Sequence, residues 1–255
     1  MEFCYFPGCT LKNKAKDLDR YARLCADILG VKLTELPEWQ CCGGVYVSPS
    51  DDVAVKLASV RALIAAEERG LPLLTVCSAC HNVLKRTEYD LRTNAEFAAK
   101  VKAYAGSVYK GTVKVVHYLE MLRDDVGYEK IRAAVKRPLD GMKIGCYYGC
   151  MLLRPGRIMR TDNPEDPVIM EELIKALGGE PVAFPERNEC CGAYTYAESE
   201  TLTEKRSERV AKSAENCGAG LLATACPLCK YNVGKYGDLP VLYFTELTAK
   251  AFGVK

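Results

Sequence analysis

The sequence predicts an α/β chain of two tandem repeats. Each repeat is a parallel-sheet domain with its cysteine motifs at the carboxyl ends of strands. Three observations carry this. Short apolar runs alternate with segments of helical periodicity, which argues for βα units and parallel sheets. A five-cysteine pattern is written twice: Cys9, Cys41, Cys42, Cys77 and Cys80, then Cys150, Cys190, Cys191, Cys226 and Cys229. Each cysteine element follows a predicted strand, and open parallel sheets build their sites there.

In the first copy, residues 2–6 read as a strand ending in Gly8-Cys9. Leu18, Tyr21, Ala22, Cys25 and Leu29 form an apolar stripe at helical spacing, which predicts a helix over 18–29 closed by Gly30. Residues 31–36 read as a strand before Cys41-Cys42-Gly43-Gly44. Asp51 or Asp52 caps a helix running to about residue 69, and 71–76 is a buried strand ending at Cys77. A last strand falls at 113–116. The second copy repeats the order, with strands at 143–148, 181–184, 221–225 and 239–244 and helices at 168–177 and 198–216. From triplet to pair the copies run in step: 34 residues separate Cys42 from Cys77, and 34 separate Cys191 from Cys226. The second copy carries an insertion near 160–166, and the first an extra helical stretch near 85–110. A linker near Arg137-Pro138-Leu139-Asp140-Gly141 divides the chain into domains 1–138 and 139–255.

The 255 residues are 49% hydrophobic, enough for a substantial core. A net charge of +2 gives no strong attraction to nucleic acid or membrane surfaces. No apolar run reaches the ~18 residues of a membrane span, and Met1-Glu2-Phe3-Cys4 does not open a signal peptide. The expected location is cytoplasmic, where thiols stay reduced. Fourteen cysteines there point to metal or redox work rather than disulfides. Ten belong to the repeat. Of the rest, Cys25 lies on an apolar helix face and Cys217 at a helix end, both read as structural. Cys4 and Cys146, equivalent if Pro7 is a one-residue insertion, are read as packing near the metal.

Five thiols per copy restrict the chemistry. A thioredoxin-like dithiol at Cys77-Ser78-Ala79-Cys80 would leave the other repeated cysteines idle. Zinc takes four ligands in a tetrahedron, which a vicinal pair rarely fits. A cubane cluster also takes four thiolates. Five ligands with a vicinal pair suit a larger or more open iron–sulfur cluster, with zinc and the dithiol as alternatives left by spacing.

The segments Phe6-Pro7-Gly8-Cys9, Cys41-Cys42-Gly43, Tyr148-Gly149-Cys150, Cys190-Cys191-Gly192 and Cys226-Pro227-Leu228-Cys229 resemble the CCG cysteine-rich domain of the heterodisulfide reductase B subunit, in wording that looks like its bacterial relatives. The resemblance covers essentially the whole chain. It implies two noncubane [4Fe-4S] clusters, the first on Cys9, Cys41, Cys42, Cys77 and Cys80, the second on Cys150, Cys190, Cys191, Cys226 and Cys229. It implies reduction of a disulfide to two thiols, by homolytic cleavage between the clusters followed by reduction and protonation. As partners it implies the ferredoxin-like C subunit, together with the flavoprotein A subunit. This fits the absence of a Gly-rich nucleotide fingerprint, since Gly218-Ala219-Gly220 leads into a strand. The alternative is an electron-transfer protein that relays electrons without reducing a disulfide.

Three further residues are candidates for catalysis. His81 follows Cys80 and Lys230 follows Cys229, so either can donate a proton or tune the metal. Arg154 follows Cys150, with Arg157 and Arg160 behind it, and Lys12, Lys14 and Lys16 follow Cys9. Such sets can bind an anionic group of a thiol substrate or form a solvated face. His117 aligns with Tyr243 and is read as structural.

Overall fold

A computed structural model describes residues 1–44, 52–106 and 108–254. The helix cap expected at Asp51 lies outside them. The first half runs β1 (Glu2–Phe6), α1 (Cys9–Asn13), α2 (Lys16–Ile28), β2 (Lys32–Glu35), α3 (Asp52–Glu68), β3 (Leu73–Thr75), α4 (Ser78–Thr93), α5 (Ala95–Ala105) and β4 (Val115–His117). It closes with α6 (Tyr118–Glu120), a π-helical turn Met121–Val126, and α7 (Tyr128–Ala134). The second half runs β5 (Lys143–Tyr147), α8 (Gly156–Met159), α9 (Ile169–Ala176), β6 (Glu180–Val182), α10 (Glu200–Asn216), β7 (Leu221–Thr224), α11 (Pro227–Tyr236), β8 (Val241–Tyr243) and α12 (Phe244–Ala251).

Each half is a four-stranded parallel sheet, in the orders β2-β1-β3-β4 and β6-β5-β7-β8. The central strands are buried on both faces, so they read as continuous apolar runs. In this order the chain leaves β1 for β2 on one side and returns to β3 on the other. The crevice at that switch lies beyond the ends of β1 and β3, where Cys9 and Cys77 stand.

The halves interlock. α12 packs on α2, and α6 and α7 pack on α9, so each half receives helices from the other. Cys25 Sγ lies 3.9 Å from Thr245 O, and Tyr128 Oη donates to Ile169 O at 3.1 Å. One hydrophobic core runs through both sheets. Among the described residues, no helix is long and apolar enough to cross a membrane.

Several expectations change in detail. Cys4 pairs with Leu73 and Cys146 with Ala223, one step apart in the repeat. The counterpart of Cys4 is therefore Gly145, and that of Cys146 is Tyr5. No insertion at Pro7 is needed, and Cys4 and Cys146 point to opposite faces of their sheets. Both are buried. The copies also slip by one residue inside the triplet-to-pair interval. Ser59 Oγ reaches Cys42 O and Ser207 Oγ reaches Cys191 O, so α10 is displaced one residue relative to α3. A compensating slip before β7 restores the spacing. The extra stretch of the first copy is the continuation of α4 followed by α5, which buries Phe97 and Val101 against Val53 and Val60. Cys217 caps the end of α10 and is exposed.

Candidate metal centre

Three loops bring five thiols together in each half. The first follows β1 or β5, the second is the CCG turn after β2 or β6, and the third is the start of α4 or α11. Cys77 and Cys226 are the N-caps of those two helices, where the positive end of the helix dipole favours a thiolate.

In the first half Cys9 Sγ and Cys41 Sγ lie 3.3 Å apart, and Cys42 Sγ and Cys80 Sγ 3.4 Å. In the second half Cys191 Sγ and Cys229 Sγ lie 3.7 Å apart. These are contacts between free thiols, well beyond the ~2.05 Å of a disulfide bond. Further interactions join Cys41 to Cys42, Cys77 to Cys80, Cys150 to Cys190, Cys190 to Cys191 and Cys226 to Cys229. Each half thus holds an unbroken run of five, and all ten cysteines expected as ligands fall into these two runs.

Sulfur packed this closely shares protons. Hydrogen bonds from Cys41 and Cys80 hold Cys42 down to about 4. Those from Cys150 and Cys191 hold Cys190 down to about 2. The donors rise in turn, Cys191 to about 12. One thiolate in each run is thus stabilised by the thiols around it. Among the described residues no three His, Cys, Asp or Glu side chains converge as they would around a single metal ion. The thiols stand as a chain of neighbours instead.

The backbone leaves room for something beside the sulfurs. A Cβ on Gly8 would come within 2.7 Å of Cys80 Sγ, and one on Gly149 within 3.1 Å of Cys229 Sγ. Both glycines have positive φ, 79° and 62°, so the residue before Cys9 and Cys150 is constrained by conformation as well as space. Donor chemistry, thiol number and cradle all fit a polynuclear iron–sulfur group held by Cys9, Cys41, Cys42, Cys77 and Cys80, and another held by Cys150, Cys190, Cys191, Cys226 and Cys229.

The two runs are neighbours. Ser78 N–H and Oγ–H both donate to Ala225 O, at 3.1 and 2.7 Å, so the Cys-x-x-Cys helices meet at their starts. The matching position of the second half is Pro227, which has no N–H. Val76 O is served instead by Tyr243 Oη at 2.8 Å and His117 Nε2 at 3.0 Å. Tyr243 Oη also reaches Ala225 O at 2.7 Å, so one phenol ties both strand ends.

A profile of the CCG family, described as a cysteine-rich domain, matches residues 3–85 and 144–234. The chain belongs to the CCG cysteine-rich domain family. It is 32% identical over 99% of its length to a protein of Wolinella succinogenes named 8-methylmenaquinol:fumarate reductase membrane anchor subunit, covering 93% of that protein. It is 31% identical over 97% of its length to the B subunit of the Ferredoxin/F(420)H(2)-dependent CoB-CoM heterodisulfide reductase of Methanosarcina acetivorans, covering 88% of that protein. Among solved structures, a hypothetical protein from Helicobacter pylori shares the fold at a TM-score of 0.75 and 16% identity. The chain is covered fully in that match and spans about half (49%) of the other chain.

The remaining candidates occupy defined places. His81 is fully buried, with its ring 5.3 Å from that of His117. Its Nε2 lies 3.1 Å from Glu120 Oε2 but off the N–H axis, so neither ring nitrogen makes a hydrogen bond. Burial lowers its pKa against the pull of Glu120. Lys230 pairs with Glu246. These are equivalent pairs, because Glu120 and Glu246 occupy the same place in two capping boxes, bonding His117 N–H at 2.7 Å and Tyr243 N–H at 2.6 Å. Arg154 donates to Asn188 O at 2.6 Å and pairs with Glu165 at 3.3 Å, which fastens the insertion to the segment before Cys190. Lys12 pairs with Glu35 at 2.8 Å. Arg157 and Arg160 face solvent. Lys14 and Lys230 line a cleft of about 600 Å³ between the start of α2 and α11.

Five residues escaped sequence reasoning. Asn82 donates to Met151 O and Arg154 O at 2.8 and 2.7 Å, holding the loop after Cys150 against α4. Tyr194 reaches from the second CCG turn to Gly44 O, and its hydroxyl lies 3.6 Å from Met151 Sδ. Burial raises its pKa, and after burial the thiols of Cys150, Cys226, Cys42 and Cys77 do so, which places the phenol between the two runs. Asn232 points at Cys191. Glu120 and Glu246 close capping boxes whose N-caps are His117 and Tyr243 rather than Ser or Thr, so the sequence shows no capping-box signature at either. None of the five carried a signal.

Proposed function

We propose that this chain is the iron–sulfur catalytic subunit of a heterodisulfide reductase-like complex, reducing a disulfide to two thiols with two noncubane [4Fe-4S] clusters. The observation that carries this reading is the juxtaposition of two complete five-thiol runs across one seam, where Ser78 meets Ala225. Cleaving R–S–S–R′ to RSH and R′SH takes two electrons and two protons. Bound clusters supply single electrons, so two side by side match the stoichiometry.

The protein's own residues do the rest. The ten cysteines hold the clusters. Gly8 and Gly149 keep side chains out of the sulfur cradle. Tyr194 and Met151 stand between the runs at the solvent side, where a disulfide would enter. Lys230, paired with Glu246 and 27% exposed at its side chain, is the candidate proton donor with access to water. His81, sealed from solvent beside Cys80, acts on the first cluster's surroundings rather than as a shuttle. Arg154 shapes the loop after Cys150. Reducing equivalents come from ferredoxin-like and flavoprotein subunits in the cytoplasm, in keeping with relatives named as heterodisulfide reductase subunits.

A second reading is favoured by the relative named as part of a fumarate reductase, matched over 99% of this chain. Here the same clusters relay electrons within a larger redox complex without cleaving a disulfide. Titrating the anaerobic oxidised protein with 2-mercaptoethanol under EPR separates the two. A thiol-dependent cluster signal supports the reductase, since only a cluster open to a substrate sulfur responds. A spectrum unchanged at saturating thiol removes that role and leaves the relay.

A further inference from the structure

The two sites have the same five thiols but different surroundings. Cys77 O and Cys226 O accept from the N–H groups of His81 and Lys230, both at 2.9 Å, so α4 and α11 begin in register. Position 83 in one half therefore corresponds to position 232 in the other. Asn232 is 5% exposed, and its Nδ2 points at Cys191 Sγ from 3.8 Å. Val83 fills the corresponding place, 3.6 Å from where a Cβ on Gly44 would stand, and offers the first run no donor.

One lesser difference has the same sign. Arg206 on α10 packs its stem 3.3 Å from where a Cβ on Gly192 would stand, and its charge bears on Cys190. In the register set by Ser59 and Ser207, its counterpart on α3 is Ala58. In the CCG turns Gly43 N–H serves Cys41 as Gly192 N–H serves Cys190, and Cys42 takes a backbone bond from Gly44 where Cys191 takes the Asn232 side chain. On the first side Lys85 is already paired with Glu120 at 3.3 Å.

A donor aimed at a ligating sulfur withdraws electron density and stabilises the reduced, more negative cluster, which raises its reduction potential. We propose that Asn232, supported by Arg206, makes the second cysteine site the stronger electron acceptor, so that an electron entering the pair comes to rest on the Cys150–Cys229 side. This rests on the reading that both sites hold iron–sulfur clusters. It gives the duplicated chain an internal direction that its repeated cysteines lack. Asn232 acts as a positioning residue, through Cys191. Being buried, it carries most of the effect, while exposed Arg206 is screened by salt.

An EPR-monitored redox titration of the purified holoprotein tests this. Asn232→Val, which copies the other half, should lower the second cluster's potential. The electron share of that site should fall roughly tenfold, ~59 mV for a one-electron couple, with the first cluster unmoved. Val83→Asn should raise the first cluster's potential. Arg206→Ala should give a smaller shift that fades at high salt. If Asn232→Val does not fold, Asn232→Asp removes the donor at similar size and should lower the same potential. Potentials that stay fixed, or that move together, overturn the proposal while leaving two clusters in place. Wild-type protein without acid-labile sulfide overturns it together with the reading on which it rests.

Discussion

At the scale of single residues, the site is limited by what is missing from the side of the sulfurs. Gly8 combines a left-handed φ of 79° with a 2.7 Å approach to Cys80 Sγ. Gly8→Ala should empty the first site while the sheet, which does not involve that side, stays folded. Iron per chain should fall by about half, with far-ultraviolet circular dichroism unchanged. Gly149→Ala meets a 3.1 Å approach and should lose less. His117 offers a pH test. Burial holds its pKa down to about 3, so the folded chain excludes a proton that the unfolded chain takes up below about pH 6.5. Its contribution to stability is complete above pH 6.5 and is lost as pH falls toward 3. Between pH 6.5 and pH 5 this amounts to roughly 2 kcal/mol. His117→Gln should flatten that part of the profile, measured by urea unfolding at a series of pH values. An unchanged slope would show that His117 is protonated in the folded chain.

At the scale of elements, each site stands where a parallel sheet changes direction, and the strands aim the cysteines. Tyr243 joins the ends of β3 and β7 by bonding Val76 O and Ala225 O. Tyr243→Phe should leave these buried carbonyls with fewer donors and cost about 1–3 kcal/mol in chemical denaturation. A loss below about 0.5 kcal/mol would mean that Ser78 and His117 already satisfy both. These elements were legible to different degrees. Strands buried on both faces and cysteines at fixed spacing declare themselves locally, so the sheet strands and both five-thiol sets could be read. Strand register could not. A one-residue slip in a fully apolar strand leaves the pattern unchanged, which is why Cys4 and Cys146 looked equivalent. Asn232 and Asn82 are polar residues on buried helix faces, and nothing in their neighbours says which sulfur or carbonyl they meet.

At the scale of the whole molecule, duplication did not produce two separable beads. α12 covers α2 of the first half, α7 covers α9 of the second, and the core is continuous. A domain boundary at 138 divides the sequence more cleanly than it divides the packing. The chain should therefore unfold in one calorimetric transition rather than two, with fragments 1–138 and 139–255 exposing apolar helix faces when expressed apart. The interlock holds the two thiol runs in a fixed relation, which the proposed two-electron reaction requires. The most direct test is iron and acid-labile sulfide per chain in anaerobically prepared protein, measured for wild type and for Cys41→Ala/Cys42→Ala. About eight irons with matching sulfide are expected in the wild type, falling to about four in the variant as the second site stays loaded. Zinc without sulfide, or a variant that loses all its iron at once, would contradict two independent iron–sulfur sites.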